Sequence, residues 1–172
     1  MEDKQLDSVQ PQEIQPALYP QRHNLEELQV EYRPMWREAI TGPNVFPKYG
    51  SFRDFSNLRC LDVEQAHLVP AGRLPESLEV LVIEQADYPV FDMMTALVSN
   101  GPTQTPSLRE VLIVPYLLAP YAMVGLHRYR GADYFGNGSF WTALANARRR
   151  LDSIVNGTGI RLAIDGEAWQ SK

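Results

Sequence analysis

Residues 55–68 read FSNLRCLDVEQAHL and residues 75–88 read PESLEVLVIEQADY. The second phrase follows the first by 20 residues, and both contain the tripeptide EQA. Two related phrases recur outside this pair, NLEELQV from Asn24 and SLREVLI from Ser107. All four fit one template: Asn or Ser, Leu, a charged residue, any residue, Leu or Val, any residue, Val or Ile. A shorter fifth, GIRLAI from Gly159, keeps the last two apolar positions. Those two positions are two residues apart, which puts them on one face of a strand.

Working outward, matched positions Leu28, Leu61, Leu81, Val111 and Leu162 lie 33, 20, 30 and 51 residues apart. Parallel pairing needs a returning segment between strands, and these intervals supply one. A single unit of this kind cannot bury its apolar face, whereas stacked units build a continuous core. The L-x-x-L-x-L order is the leucine-rich-repeat pattern, although regular repeats run about 20 to 29 residues. The predicted fold class is therefore α/β: an irregular leucine-rich-repeat-like solenoid with a short parallel sheet and flanking helices.

The intervals differ in what they can hold. The stretch HLVPAGRLPE, residues 67–76, leaves room for little beyond a tight return. VFDMMTALVSNG, residues 90–101, predicts a helix that starts after Pro89 and stops at Asn100-Gly101. SFWTALANARRRLDSIVNG, residues 139–157, predicts the longest helix. Ser139 caps its start, Phe140, Leu144, Ala147, Leu151 and Ile154 form an apolar stripe, and Asn156-Gly157 ends it. PMWREAI from Pro34 predicts a short helix. Residues 1–16 are polar, with Gln recurring near Pro, and read as a disordered lead-in to a single repeat domain over residues 17–172.

ALYPQRHNLEELQVEY, GSFRDFSNLRCLDVEQAHL, LPESLEVLVIEQAD and TPSLREVLIV together resemble the C-terminal repeat region of fungal F-box and leucine-rich-repeat proteins. SFRDFSNLRCL followed by LPESLEVL carries most of the likeness, which spans about residues 17–114. The resemblance implies a recognition scaffold whose repeats receive a protein substrate. In that family an F-box docks the adaptor of a cullin-based ubiquitin ligase. The first 20 residues here carry no helical Leu-Pro segment of that type, which sets adaptor docking aside.

The residues between the inward positions face the other side of the sheet. They are Glu27 and Gln29, Cys60 and Asp62, Val80 and Val82, Glu110 and Leu112, and Arg161 and Ala163. Glu31, Glu64 and Glu84 follow at matching positions past three of the strands. Matched residues on parallel strands lie about 4.8 Å apart and form columns. The candidate protein-binding residues are thus Glu27, Glu31, Asp62, Glu64, Val80, Val82, Glu84, Glu110 and Leu112. They make an apolar centre with an acidic rim, suited to a protein partner with a basic surface. The rival reading is a solvated sheet face, in a fragment without a partner.

Other chemistry has less to stand on. Cys60 and His67 are the ingredients of a thiol enzyme, which needs hydrogen-bond reach and a third, orienting group. Without those, no catalytic residue and no enzyme activity is expected. His23, His67 and His127 lack metal-ligand spacing and read as surface or loop residues. GADYFGNGSF, residues 131–140, has neither glycine order that cradles phosphate, so no cofactor or metal is expected. Arg148-Arg149-Arg150 falls late in a predicted helix, where cations complement the dipole, and a nuclear signal is its other reading. The six aromatics Tyr116, Tyr121, Tyr129, Tyr134, Trp141 and Trp169 read mainly as packing residues.

Composition narrows the field further. A hydrophobic content of 44% is that of a folded chain. A net charge of -5 argues against a general nucleic-acid binder. One cysteine allows no internal disulfide and suits a reducing compartment, cytoplasm or nucleus. The N-terminal segment lacks a signal-peptide core. The apolar run from Val111 to Leu126 contains two prolines and is short for a membrane span. Two N-x-S/T sequons, at Asn137 and Asn156, read as turn chemistry.

Overall fold

The computed structural model describes residues 10–30, 47–69, 73–86, 90–115 and 140–164. Helix α1 (Pro11–Leu18) and a 3₁₀ turn (Tyr19–Gln21) lead into strand β1 (Glu27–Val30). Then come β2 (Cys60–Glu64), a 3₁₀ turn (Gln65–His67) and β3 (Val80–Ala86). Helix α2 (Val90–Gln104), β4 (Glu110–Pro115), α3 (Phe140–Val155) and β5 (Arg161–Ile164) complete the order. The five strands form one parallel sheet in chain order, β1-β2-β3-β4-β5.

The register follows the sequence template. Leu28, Leu61, Leu81, Val111 and Leu162 sit side by side, as do Val30, Val63, Ile83, Ile113 and Ile164. From β2 onward both rows are buried. On β1, an edge strand, Leu28 and Val30 are half-buried.

Each strand is entered in a similar way. The Leu58, Leu78 and Leu108 amides donate to Phe55, Pro75 and Thr105 carbonyls at 3.2, 3.2 and 3.1 Å. The turn tucks the template's leading leucine into the core, where all three are buried. The polar residue just before it ties neighbouring phrases together. Asn57 Nδ2 donates to the His23 carbonyl, and Ser77 Oγ lies 2.9 Å from the Leu58 carbonyl. These polar positions satisfy backbone carbonyls that the turns would otherwise leave without a partner.

The charged position of the template does similar work. It reads Glu26, Arg59, Glu79 and Arg109, so its sign alternates from strand to strand. Glu79 accepts from Arg59 Nε at 2.6 Å and lies 2.5 Å from Arg109 Nη2. The Arg59 hydrogen bond, helped by the charge of Arg109, holds the Glu79 carboxyl below its ordinary range. One position further along, Arg161 of β5 meets Glu110 of β4 at 2.5 Å. A slip of one strand would part these opposite charges, so the ladder helps to fix register rather than adding much stability.

The core lies on one side of the sheet. Val90, Phe91, Met94 and Leu97 of α2 cover it, with Leu151 and Val155 of α3. Arg150 lies over the Phe91 ring at 4.3 Å and joins the two helices. Arg148 pairs with Asp152 at 2.8 Å on α3. In the β1–β2 interval the described core residues ahead of Leu58 are aromatic instead. Phe52 and Phe55 stack edge to face at 5.4 Å, and Tyr49 and Tyr19 flank them.

Two element boundaries differ from the sequence reading. Helix α1 begins at Pro11, inside the stretch expected to be disordered through residue 16. The Gln10 amide donates to Glu13 Oε2 at 2.9 Å, which caps the helix start. Ile14 and Leu18 pack on the core, and a Cβ at Gly50 would meet Gln15 atoms at 2.7 Å. Helix α2 runs past Asn100-Gly101 to Gln104. Gly101 stays helical and buried there, and its carbonyl accepts from the Thr105 amide at 2.9 Å. Helix α3 stops where expected, with Gly157 in the left-handed region at φ 76°. The predicted cap at Ser139 and the helix from Pro34 lie outside the described residues, and the side chains of Phe140 and Leu144 do as well.

Candidate functional site

The sheet face opposite α2 and α3 carries the alternate residues of every strand. Glu27, Cys60, Val80, Glu110 and Arg161 form one row, and Gln29, Asp62, Val82, Leu112 and Ala163 the next. Val80, Val82 and Leu112 are half-buried neighbours on two adjacent strands. The apolar centre expected from the sequence is therefore one patch, with Cys60 and Ala163 beside it.

The acidic rim is smaller than expected. Glu110 is engaged by Arg161. Glu31 lies outside the described residues. Glu64 faces Glu84 across β2 and β3, but it is only 2% exposed and cannot belong to an open strip. Its carboxylate accepts from Gln85 Nε2 at 3.0 Å and lies 3.6 Å from His67 Nε2. Burial of a carboxylate requires such partners. Glu27, Asp62 and Glu84 remain as the acidic part of the face.

Asp62 stands in an unusual environment. The Gln29 side chain hydrogen-bonds to it, yet its Oδ1 is buried and has no hydrogen-bond partner among the described residues. Desolvation raises its pKa above the ordinary 3.8, against the opposing effect of Gln29. A recess of about 200 Å³ opens beside it at the C-terminal ends of β1 to β3, lined by Gln29, Val30, Asp62, Glu64, Glu84 and Gln85.

His67 is not a surface histidine. It is 1% exposed, and its Nδ1 lies 2.8 Å from the Pro47 carbonyl. Lys48 Nζ donates to the Ala66 carbonyl at 2.5 Å, and the Tyr49 amide to the His67 carbonyl at 3.0 Å. Residues 47–49 thus clamp the 3₁₀ turn. Cys60 sits at the other end of β2, four residues before Glu64, or about 13 Å along the strand. Its thiol pKa is pushed up by burial and by the charges of Glu27 and Asp62, which disfavours the thiolate. Cys60 and His67 are thus not brought together as a catalytic pair would be. His23 accompanies Ser56 at 3.1 Å, and His127 lies outside the described residues.

Sequence reasoning missed the division of the tripeptide EQA into two conformations. Gln65-Ala66-His67 turns as a 3₁₀ helix, whereas Glu84-Gln85-Ala86 continues β3. The second copy is irregular: Gln85 has φ 50°, and the β3–β4 register shifts between Ile83 and Ala86. That bulge turns the Gln85 amide toward Glu64. The residue that follows each EQA differs in the sequence, His67 in one and Asp87 in the other.

Among the described residues, no group of three or more His, Cys, Asp or Glu side chains is placed to hold a metal ion. No helix among them is long and apolar enough to cross a membrane. No protein-family model, curated protein or solved structure matches the chain.

Proposed function

We propose that this chain is a protein-binding repeat module, an irregular leucine-rich-repeat-like solenoid that binds through its sheet face and performs no chemistry of its own. It is similar in this reading to the substrate-recognition part of F-box and leucine-rich-repeat proteins, working in the cytoplasm or nucleus. The observation that carries it is the half-exposed patch of Val80, Val82 and Leu112 in aligned rows, bordered by Asp62, Glu27 and Glu84. An apolar patch with a charged rim is the usual form of an interface. Strands fixed by backbone pairing and by the Arg59–Glu79–Arg109 ladder are preorganised, so little is lost to ordering on association. The partner is a protein whose contact surface offers an apolar anchor beside basic side chains.

The test is affinity capture from native extract with the intact chain and with Val82→Lys plus Leu112→Lys, after circular dichroism shows both folded. Loss of the captured protein from the variant supports the reading. Equal recovery by both chains removes the face from it.

A further inference from the structure

The two ends of the sheet are not alike. At β5, Leu162 and Ile164 are 8% and 4% exposed. At β1, the matched Leu28 and Val30 are only half-buried, and so is Leu25 ahead of them. The charges differ too. The β1 end carries Glu26 and Glu27, both exposed, and the β5 end carries Arg161.

We propose that β5 of one copy pairs in parallel with β1 of a second copy, Arg161 opposite Glu27, Leu162 opposite Leu28, and Ile164 opposite Val30. This register extends by one step the register that already runs through the four strand pairs of the sheet. Arg161 is equipped for the role. Its side chain is 75% exposed even while Nη2 meets Glu110 at 2.5 Å. A guanidinium has five donors, so a second carboxylate can be met on its open side. Glu79 already does the converse inside the chain, spanning Arg59 and Arg109 on the phrases either side. Arg161 between Glu110 and the second copy's Glu27 is that arrangement with the signs exchanged.

A two-fold contact of β1 with β1 is the obvious competitor. It would set Glu26 and Glu27 of one copy against the same residues of the other, like charge against like, which opposes it. The head-to-tail contact leaves one β1 and one β5 free at the ends, so it propagates. Burial of Leu25, Leu28 and Val30 together with backbone pairing supplies the attraction, and the charges select the partner and its direction.

Sedimentation of the full chain over a concentration series at low salt tests this. The wild type should gain mass steadily with concentration, and Glu27→Arg, at an exposed position, should stay monomeric. Arg161→Glu should also stay monomeric, and an equimolar mixture of the two variants should regain assembly in alternation, because each edge of one variant meets the opposite charge on the other. Should Arg161→Glu not melt cooperatively, Arg161→Gln takes its place, with weakened assembly expected. The proposal is overturned by a wild type that is monomeric throughout, by Glu27→Arg or Arg161→Gln assembling as the wild type does, or by folded Glu27→Arg and Arg161→Glu that stay apart when mixed. Val82→Lys plus Leu112→Lys leaves this assembly unchanged, which separates it from recognition by the sheet face.

Discussion

Asp62 shows how one residue can cost stability at the place where a binding face needs charge. Its Oδ1 is buried without a partner among the described residues, and desolvation lifts its pKa. A carboxyl whose pKa is higher in the folded state favours folding when protonated. That advantage is lost as pH rises through the interval between the ordinary 3.8 and the raised folded value. Asp62→Asn should therefore be more stable than the wild type at neutral pH. The difference should shrink to nothing below about pH 3.8 in chemical denaturation followed across pH. A variant less stable than wild type at pH 7 would mean that the ionised carboxylate is satisfied where it stands. The neighbouring Glu64 illustrates what sequence could not reveal. Its matching position just past the strand put it with Glu31 and Glu84, but such matching carries no information about a clamp such as residues 47–49 arriving from elsewhere in the chain.

At the scale of elements, the strands were legible because two signals agreed. Period-two apolar pairs marked each strand, and the leading Leu, with its Asn or Ser, marked each entry turn. Helix α3 was legible from its stripe and from Gly157, whose φ of 76° favours glycine. The start of α1 was obscured by its polar composition, since Ile14 and Leu18 are its main apolar contacts with the core. The end of α2 was misplaced because Asn-Gly is a stop signal only where glycine takes the left-handed region, and Gly101 remains helical. The two sides of β3 give a sharp prediction. Leu81→Ala removes a side chain that is 1% exposed and should cost about 3 kcal/mol in equilibrium unfolding. Val80→Ala, one residue away on the outer face, should cost about 1 kcal/mol or less. Similar losses at both positions would contradict the assignment of faces.

At the scale of the whole molecule, repetition is the source of both the inner core face and the outer sheet face. One template, used four times and echoed a fifth, aligns apolar rows on the inner side and leaves a mixed patch on the outer side. The alternating signs of Glu26, Arg59, Glu79 and Arg109 were present in the sequence, yet their meaning needed the strand order. Only neighbours in the sheet can pair, and chain order equals sheet order here. The 33- and 51-residue intervals give no register by themselves; the matched template positions do, and the strands pair accordingly. The most direct measurement is the distance across all five strands, by double electron–electron resonance between spin labels at Gln29→Cys and Ala163→Cys with Cys60→Ser. Four strand spacings predict a backbone separation of about 19 Å, with a narrow distribution. A separation beyond about twice that, or a spread typical of independent segments, would mean that the phrases do not share one sheet.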